Sequence, residues 1–180
     1  ALSVRISRNV TILYICDLYI FSKIHYHKCM RELENYKAPL KIICLTEESV
    51  ETLFELGVGE QIIGVSAFVK RPDAATKIPK VSYFTTSNLK KIIEKKPDLI
   101  LGFSDIQKDI AKDLVELGQD VWISNHRSIS GIFRYIKTLS LMVDRKEEGE
   151  ILLNRLEKQI IKAKAFSESL KEKPKVYFEE

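Results

Sequence analysis

The sequence predicts a mainly parallel, three-layer α/β domain followed by one long helix. Short apolar runs at 40–45, 61–66, 98–103 and 121–124 alternate with segments of helical periodicity. The runs are nearly continuous, as expected of strands covered on both faces. Beyond residue 143 a single helical pattern continues without Gly or Pro from Ile151 to Lys173.

In chain order, 40–45 (LKIICL) reads as a buried strand. Helix 47–56 follows, with Thr46 at its N-cap, Val50, Leu53 and Phe54 on one face, and Gly57 as its stop. A second strand, 61–66, leads into a loop carrying Phe68, Arg71 and Pro72. An extended piece at 80–84 precedes helix 88–96, which Ser87 or Asn88 can cap and Pro97 ends. Strand 98–103 leads to helix 106–117, with Ile106, Ile110, Ala111, Leu114 and Leu117 at helical spacing before Gly118. Strand 121–124 and helix 129–143 complete the domain, and Ile129, Ile132, Phe133, Ile136 and Leu139 are placed on the buried side of that helix. Strands separated by helices imply parallel pairing. Asp144 and Glu147 then form a D-x-x-E capping box. The helix it opens spans 144–173, with Leu152, Leu156, Ile160, Ala163 and Leu170 in a narrow stripe. That is roughly 42 Å, more than one small lobe needs. Pro174 ends it, and 175–180 (KVYFEE) starts another strand.

With 180 residues, 45% hydrophobic and 30% charged, the chain can build one domain with an appendage, but not two full domains. A net charge of +4 with basic residues scattered among acidic ones gives a weak nucleic-acid footprint, so no nucleic-acid partner is expected. Cys16, Cys29 and Cys44 form no CxxC pair and no closed disulfide framework; Cys44 reads as a buried small hydrophobe. Residues 1–39 are an extension of unclear role. Arg5 and Arg8 before 10–21 (VTILYICDLYIF) loosely resemble an export signal. Against that, Asp17 interrupts the run, no small-residue cleavage site follows, and Tyr14 is too large for a lipoprotein box at Cys16. A strand or helix packed on the domain and an imperfect upstream extension are the other readings.

The sequence has no GxGxxG after a strand, no GxxxxGK[ST], no GxSxG and no HExxH. His25, His27 and Cys29 lack a fourth metal ligand nearby, so no metal site is expected. His126 reads as a loop contact, and Asp105 with His126 lacks an evident nucleophile partner despite the adjacent Ser104. The positive signal is positional. Parallel α/β sheets bind ligands outside the carboxyl ends of their strands. Those ends carry 46–48 (TEE), Phe68 to Arg71, Tyr83 to Thr85, Phe103-Ser104-Asp105 and Asn125-His126-Arg127. Aromatics with scattered polar groups suit a large, flat, partly apolar ligand. The alternative is that Phe68, Tyr83 and Phe103 only close the core from above.

Residues 41–57 (KIICLTEESVETLFELG), 63–66 (IGVS), Asn88-Leu89, 96–101 (KPDLIL), Leu117-Gly118, 102–107 (GFSDIQ), 125–128 (NHRS) and 176–180 (VYFEE) together resemble ABC-transporter substrate-binding proteins of the cobalamin, ferric siderophore and haem type. The resemblance covers 40–180 as an ordered set. It implies two α/β lobes joined by one long helix, with the ligand in the cleft between them. On that pattern 40–143 is the amino-terminal lobe, 144–173 the connecting helix and 174–180 the first strand of a second lobe that is cut short. The resemblance implies a non-enzymatic, monomeric carrier without a cofactor, taking cobalamin, haem or a ferric siderophore and working with an ABC permease, periplasmic or extracytoplasmic and membrane-associated. Aromatic ligand contacts of the family match Phe68, Phe84 and Phe103, and Glu179 and Glu180 match the start of the second lobe's cleft edge. With Arg71, Tyr83, Ser104, Asp105, Asn125 and Arg127, these form the expected ligand-binding set. Two positions depart from the family pattern. Glu47 replaces a proline, and Lys90 stands where a glutamate docks onto permease arginines, which argues against ordinary docking. A ligand-responsive sensor that meets no permease and a small doubly wound enzyme are the competing readings.

Overall fold

The computed structural model describes residues 41–170, positions 172, 175 and 177, and the backbone of two short strands near the start. Those strands, β1 (Arg5–Ser7) and β2 (Val10–Thr11), pair antiparallel with Arg5 opposite Thr11 and form part of a separate unit. Most of the signal-like run, with Cys16, His25, His27 and Cys29, lies outside the described residues.

The main unit is built on β3 (Ile42–Cys44), β4 (Ile62–Ser66), β5 (Lys80–Ser82), β6 (Leu99–Phe103) and β7 (Val121–Ser124). Their order is β5-β4-β3-β6-β7 and every neighbouring pair is parallel. Ile42, Ile43 and Cys44 lie opposite Leu99, Ile100 and Leu101, so the two most apolar strands form the centre. Successive side chains leave opposite faces of a strand, and both faces here are covered. Ile42, Cys44, Leu99 and Leu101 enter one core with α1 (Glu47–Glu55), α4 (Ile129–Met142) and α5 (Lys146–Ser169). Ile43, Leu45 and Ile100 enter the other with α2 (Leu89–Glu94) and α3 (Lys108–Glu116). The predicted three layers are present.

Local chemistry explains most element ends. Asn88 caps α2 by accepting the Lys91 N–H at 3.0 Å, and Ser128 caps α4 by accepting from Gly131 at 3.1 Å. Gly57 and Gly118 take φ of +73° and +74° at the ends of α1 and α3, where a side chain would be strained. β5 stops at Ser82 because Tyr83 donates its N–H to the Thr86 carbonyl at 2.7 Å, closing a turn.

Four expectations need correction. Thr46 occupies the N-cap of α1 but makes no cap bond; its hydroxyl lies 3.2 Å from that of Ser49. The segment after β6 opens as a 3-10 turn, Asp105–Gln107, before α3, and the tighter winding leaves Ile106 half-exposed and turns Gln107 inward. Leu117, past the end of α3, is also half-exposed. In α4, Ile129 and Ile132 are exposed while Tyr135, Ile136 and Leu139 are buried. The exposed pair instead lines an open apolar groove with Phe133 and with Leu156, Ile160 and Ala163 of α5. Finally, the capping box does not form. Asp144 takes φ +54° outside the helix, and the Arg145 N–H donates to the Ser140 carbonyl at 2.7 Å to close the α4–α5 turn. Helix α5 therefore has 24 residues, shorter than expected but unbroken. Its stripe is buried at Leu152, half-buried at Leu156 and exposed from Ile160 to Ala163.

Candidate functional site

After β3 the chain builds β4 and β5 on one side, then returns to lay β6 on the other, so the topological switch lies between β3 and β6. Loops leaving the carboxyl ends of parallel strands splay apart at such a point and leave room for a ligand. Neighbouring strands are about 4.8 Å apart, which sets the ends of β4 and β6 roughly 10 Å from each other and those of β5 and β7 roughly 19 Å.

Two aromatic groups stand on this edge. Phe68 and Tyr83, after β4 and β5, meet edge to face with ring centroids 6.2 Å apart, and each is 60% exposed. Phe103, at the end of β6, lies 4.9 Å from the His126 ring, which in turn is 4.8 Å from Tyr135. Tyr135 stacks on Trp122 at 5.4 Å and donates its hydroxyl to Ser49 at 3.0 Å. Burial holds the Tyr135 phenol well above its ordinary range, against a smaller downward pull from the Ser49 bond, so it stays protonated. Burial likewise pushes the Cys44 thiol up, which leaves it inert in the core.

Gln107, fully buried, ties these groups together. Its Oε1 accepts the Phe103 N–H at 2.9 Å, and its Nε2 donates to the carbonyls of Phe84 at 2.9 Å and Leu45 at 3.3 Å. One carboxamide thus joins the loops after β3, β5 and β6 across the switch point. Gly102 makes room for it, since a Cβ there would stand 2.8 Å from Gln107 Oε1.

The expected ligand residues divide by placement. Phe68, Tyr83, Phe84 and Phe103 reach the edge, Phe84 being 37% exposed and Phe103 half-buried. Arg71 is drawn toward α1, with Nε 2.9 Å from Glu51 and 3.8 Å from Glu47. Glu47 also accepts the N–H groups of Lys70 and Arg71, each at 3.0 Å, so the residue in the family's proline position pins the loop that carries Phe68. Ser104 is buried rather than presented: its Oγ accepts from Ile106 and its N–H donates to Ser124, supporting a backbone held at φ +56°. Asp105 pairs with Arg127, whose Nε donates to Asn125 at 3.2 Å, in an exposed cluster worth little energy by itself. Glu179 and Glu180 lie outside the described residues. Gln107 and His126 are missing from the sequence-derived set. The only sequence signal for Gln107 was its place in the GFSDIQ run at 102–107; among Asp105, Lys108 and Asp109 a glutamine reads as one more solvent-facing polar residue.

Glu47, Arg71, Asp105 and Arg127 are engaged in ion pairs while Phe68 and Tyr83 stand open, which favours stacking on a flat ligand over capture of a simple ion. Residues 42–180 match the family described as periplasmic binding protein. The chain belongs to that family. A vitamin B12-binding protein from Vibrio vulnificus is 35% identical over 115 residues, covering 62% of this chain and 42% of that protein. A possible iron-binding periplasmic solute-binding protein from Staphylococcus epidermidis superimposes with a TM-score of 0.65 at 28% identity, over 70% of this chain and 50% of its own. The periplasmic haem-binding protein BhuT, solved with two haems, gives 0.59 at 25% identity, over 66% and 46%. The chain spans about half the length of these periplasmic binding proteins.

Proposed function

We propose that the chain is the amino-terminal part of the substrate-binding component of an ABC importer, and that it takes a metal chelate such as cobalamin, haem or a ferric siderophore. In this reading 40–143 is one ligand-gripping lobe, the helix within 144–173 connects to a second lobe that opens at 174–180, and the protein is a monomeric carrier with no reaction of its own. The observation that carries it is the aromatic edge, with Phe68 and Tyr83 on one side of the switch point and Phe103 and His126 on the other. The relatives named for B12, iron and haem supply the ligand class. An extracytoplasmic location follows from the family; among the described residues no helix is long and apolar enough to cross a membrane.

Trp122, the single tryptophan of the chain, reports on the site through its stack on Tyr135. Titrating the chain with cyanocobalamin, haemin and a ferric trihydroxamate should quench its emission for at least one of them. Phe103→Ala should weaken that binding roughly tenfold, the equivalent of about 1.4 kcal/mol. No quenching by any of the three, or an unchanged affinity in Phe103→Ala, overturns the reading. Lys90 favours a second reading, a sensor that meets no permease: its side chain is 86% exposed and only 4.0 Å from Glu94 at closest. If Lys90 faces a permease, Lys90→Glu strengthens association at low salt and the gain shrinks as salt is added. Unchanged association at low salt favours the sensor.

A further inference from the structure

Basic residues are scattered over the chain as a whole, but not between Asp73 and Asp98. That stretch holds six lysines, Lys77, Lys80, Lys90, Lys91, Lys95 and Lys96, against the single glutamate Glu94, a net charge of +5. The whole chain carries +4, so the rest of it is close to neutral. The fold draws these lysines to one side of the domain. Strand β5 is an edge of the sheet, and α2 is tied back to it because Asn88 donates its N–H to the Val81 carbonyl at 2.9 Å. Lys80 and Lys91 then line one open groove with Tyr83, Ser87 and Asn88. Helix α2 buries Ile92 and packs Leu89 against the core, which leaves Lys90 and Lys91 exposed, as are Lys77 and Lys96. Among the described residues the one ion pair of the six is Lys90 with Glu94, at 4.0 Å.

The opposite face of the sheet has the opposite sign. Helix α1 contributes Glu47, Glu48, Glu51 and Glu55 and no basic residue, and it packs on the other core from α2. Three of those four acids are already engaged, Glu47 and Glu51 by Arg71 and Glu55 by Arg155. A second copy of the chain therefore offers the lysines a poor counterpart in α1. The residue types narrow the partner further. Protein interfaces are anchored by buried aromatic and arginine side chains, whereas the stretch between Asp73 and Asp98 has no arginine and α2 turns its apolar residues inward. Lysine is a compact, hydrated point charge on a flexible stem that needs no planar, bidentate counterpart. Clustered lysines without such anchors suit a layer of anionic headgroups, which is recognised by summed charge.

We propose that the β5–α2 side of the domain adheres to an anionic lipid surface through these lysines, with α1 turned away from it. The attraction is additive and reversible, about fivefold in affinity for each lysine near the surface. The charge difference between α1 and α2 sets the orientation, since the acidic face is repelled by the surface that attracts the basic one.

The test co-sediments the full chain with vesicles of phosphatidylcholine alone and of equal parts phosphatidylcholine and phosphatidylglycerol. Binding is expected to the anionic vesicles only. It should be lost as salt rises from about 0.1 M to 1 M, where the screening length falls from about 10 Å to 3 Å. Combining Lys77→Gln, Lys90→Gln, Lys91→Gln and Lys96→Gln should weaken it on the order of a hundredfold. Combining Lys146→Gln, Lys158→Gln, Lys162→Gln and Lys164→Gln removes the same charge from α5, where five basic residues are interspersed with five acidic ones. That variant should bind within about threefold of the native chain. Unchanged urea unfolding shows that each variant is folded. Equal weakening by the two variants overturns the proposal, because net charge alone would then explain binding. No weakening by the first variant overturns it as well, by moving the contact elsewhere in the chain. Capture of the chain by immobilised polyglutamate, with no binding to phosphatidylglycerol vesicles, overturns it in favour of an acidic protein partner. Every arm runs without a chelate, so its failure leaves the chelate-binding reading standing.

Discussion

Replacing Gln107 tests whether one carboxamide holds the switch point together. In Gln107→Leu the Phe103 N–H and the carbonyls of Phe84 and Leu45 lose the partner they share, inside a side-chain site with no solvent exposure. A buried polar group left unpaired costs about 1–3 kcal/mol. With three such groups and some water entry from the nearby edge, the loss should be roughly 3–6 kcal/mol, a large share of an ordinary domain's stability. Gln107→Glu is nearly isosteric and adds a pH signature. Its carboxylate can still accept from Phe103 but would turn an oxygen toward two carbonyls. Burial and those carbonyls disfavour the charged form, so the folded-state pKa rises above the unfolded value of about 4.3. The folded protein then keeps a proton that the unfolded chain has released, and stability falls as pH rises above that value. The deficit against the native protein should therefore be smallest near pH 4 and widen toward neutrality. Urea unfolding of the native chain and both variants between pH 4 and 7.5 measures it. A Gln107→Leu deficit below about 1 kcal/mol, or a Gln107→Glu deficit that ignores pH, would refute the reasoning.

Gly102→Ala places a Cβ 2.6 Å from Ile123 Cδ1 and 2.8 Å from Gln107 Oε1, and should cost about 2 kcal/mol in thermal or urea unfolding. Glu47→Ala frees the Lys70 and Arg71 N–H groups in an exposed loop, so stability should move by less than about 1 kcal/mol while tryptic cleavage at Lys70 speeds up. Tyr135→Phe removes the bond to Ser49 but keeps the stack on Trp122; about 1 kcal/mol should be lost with little change in tryptophan emission.

The sheet was legible because its signal is redundant. Ile42 to Leu45 and Leu99 to Leu101 are apolar at every position, which a strand covered on one face would not require. The carboxyl-edge aromatics followed once parallel pairing was inferred. What escaped the sequence depends on backbone rotation. Three residues of 3-10 turn wind about 60° further than the same length of α-helix. That phase change, after Ser104 at φ +56°, turns Ile106 out and Gln107 in. Asp144 and Glu147 have the letters of a capping box, but a turn fixed by Arg145 and Ser140 puts Asp144 one position outside it. Periodicity also marked Ile129 and Ile132 as apolar without revealing that α5 leaves their groove open. For Arg71, residue type was a sound guide to charge but gave no direction; Glu51, twenty positions earlier, decided that.

Helix α5 has the mechanics of a lever. Its buried residues, Gly149 and Leu152, belong to its first two turns, and the Arg155–Glu55 pair at 2.7 Å braces it against α1 just beyond them. From Leu156 to Ser169 the helix runs about 20 Å with little beneath it. The fulcrum is Gly149, where an added Cβ would stand 2.5 Å from Ser140 Cβ. A seat widened enough to tilt the rod by about 5° would carry its tip, roughly 30 Å from Gly149, about 2.6 Å sideways. The smallest residue of the helix therefore sets the direction in which it runs out to Ser169.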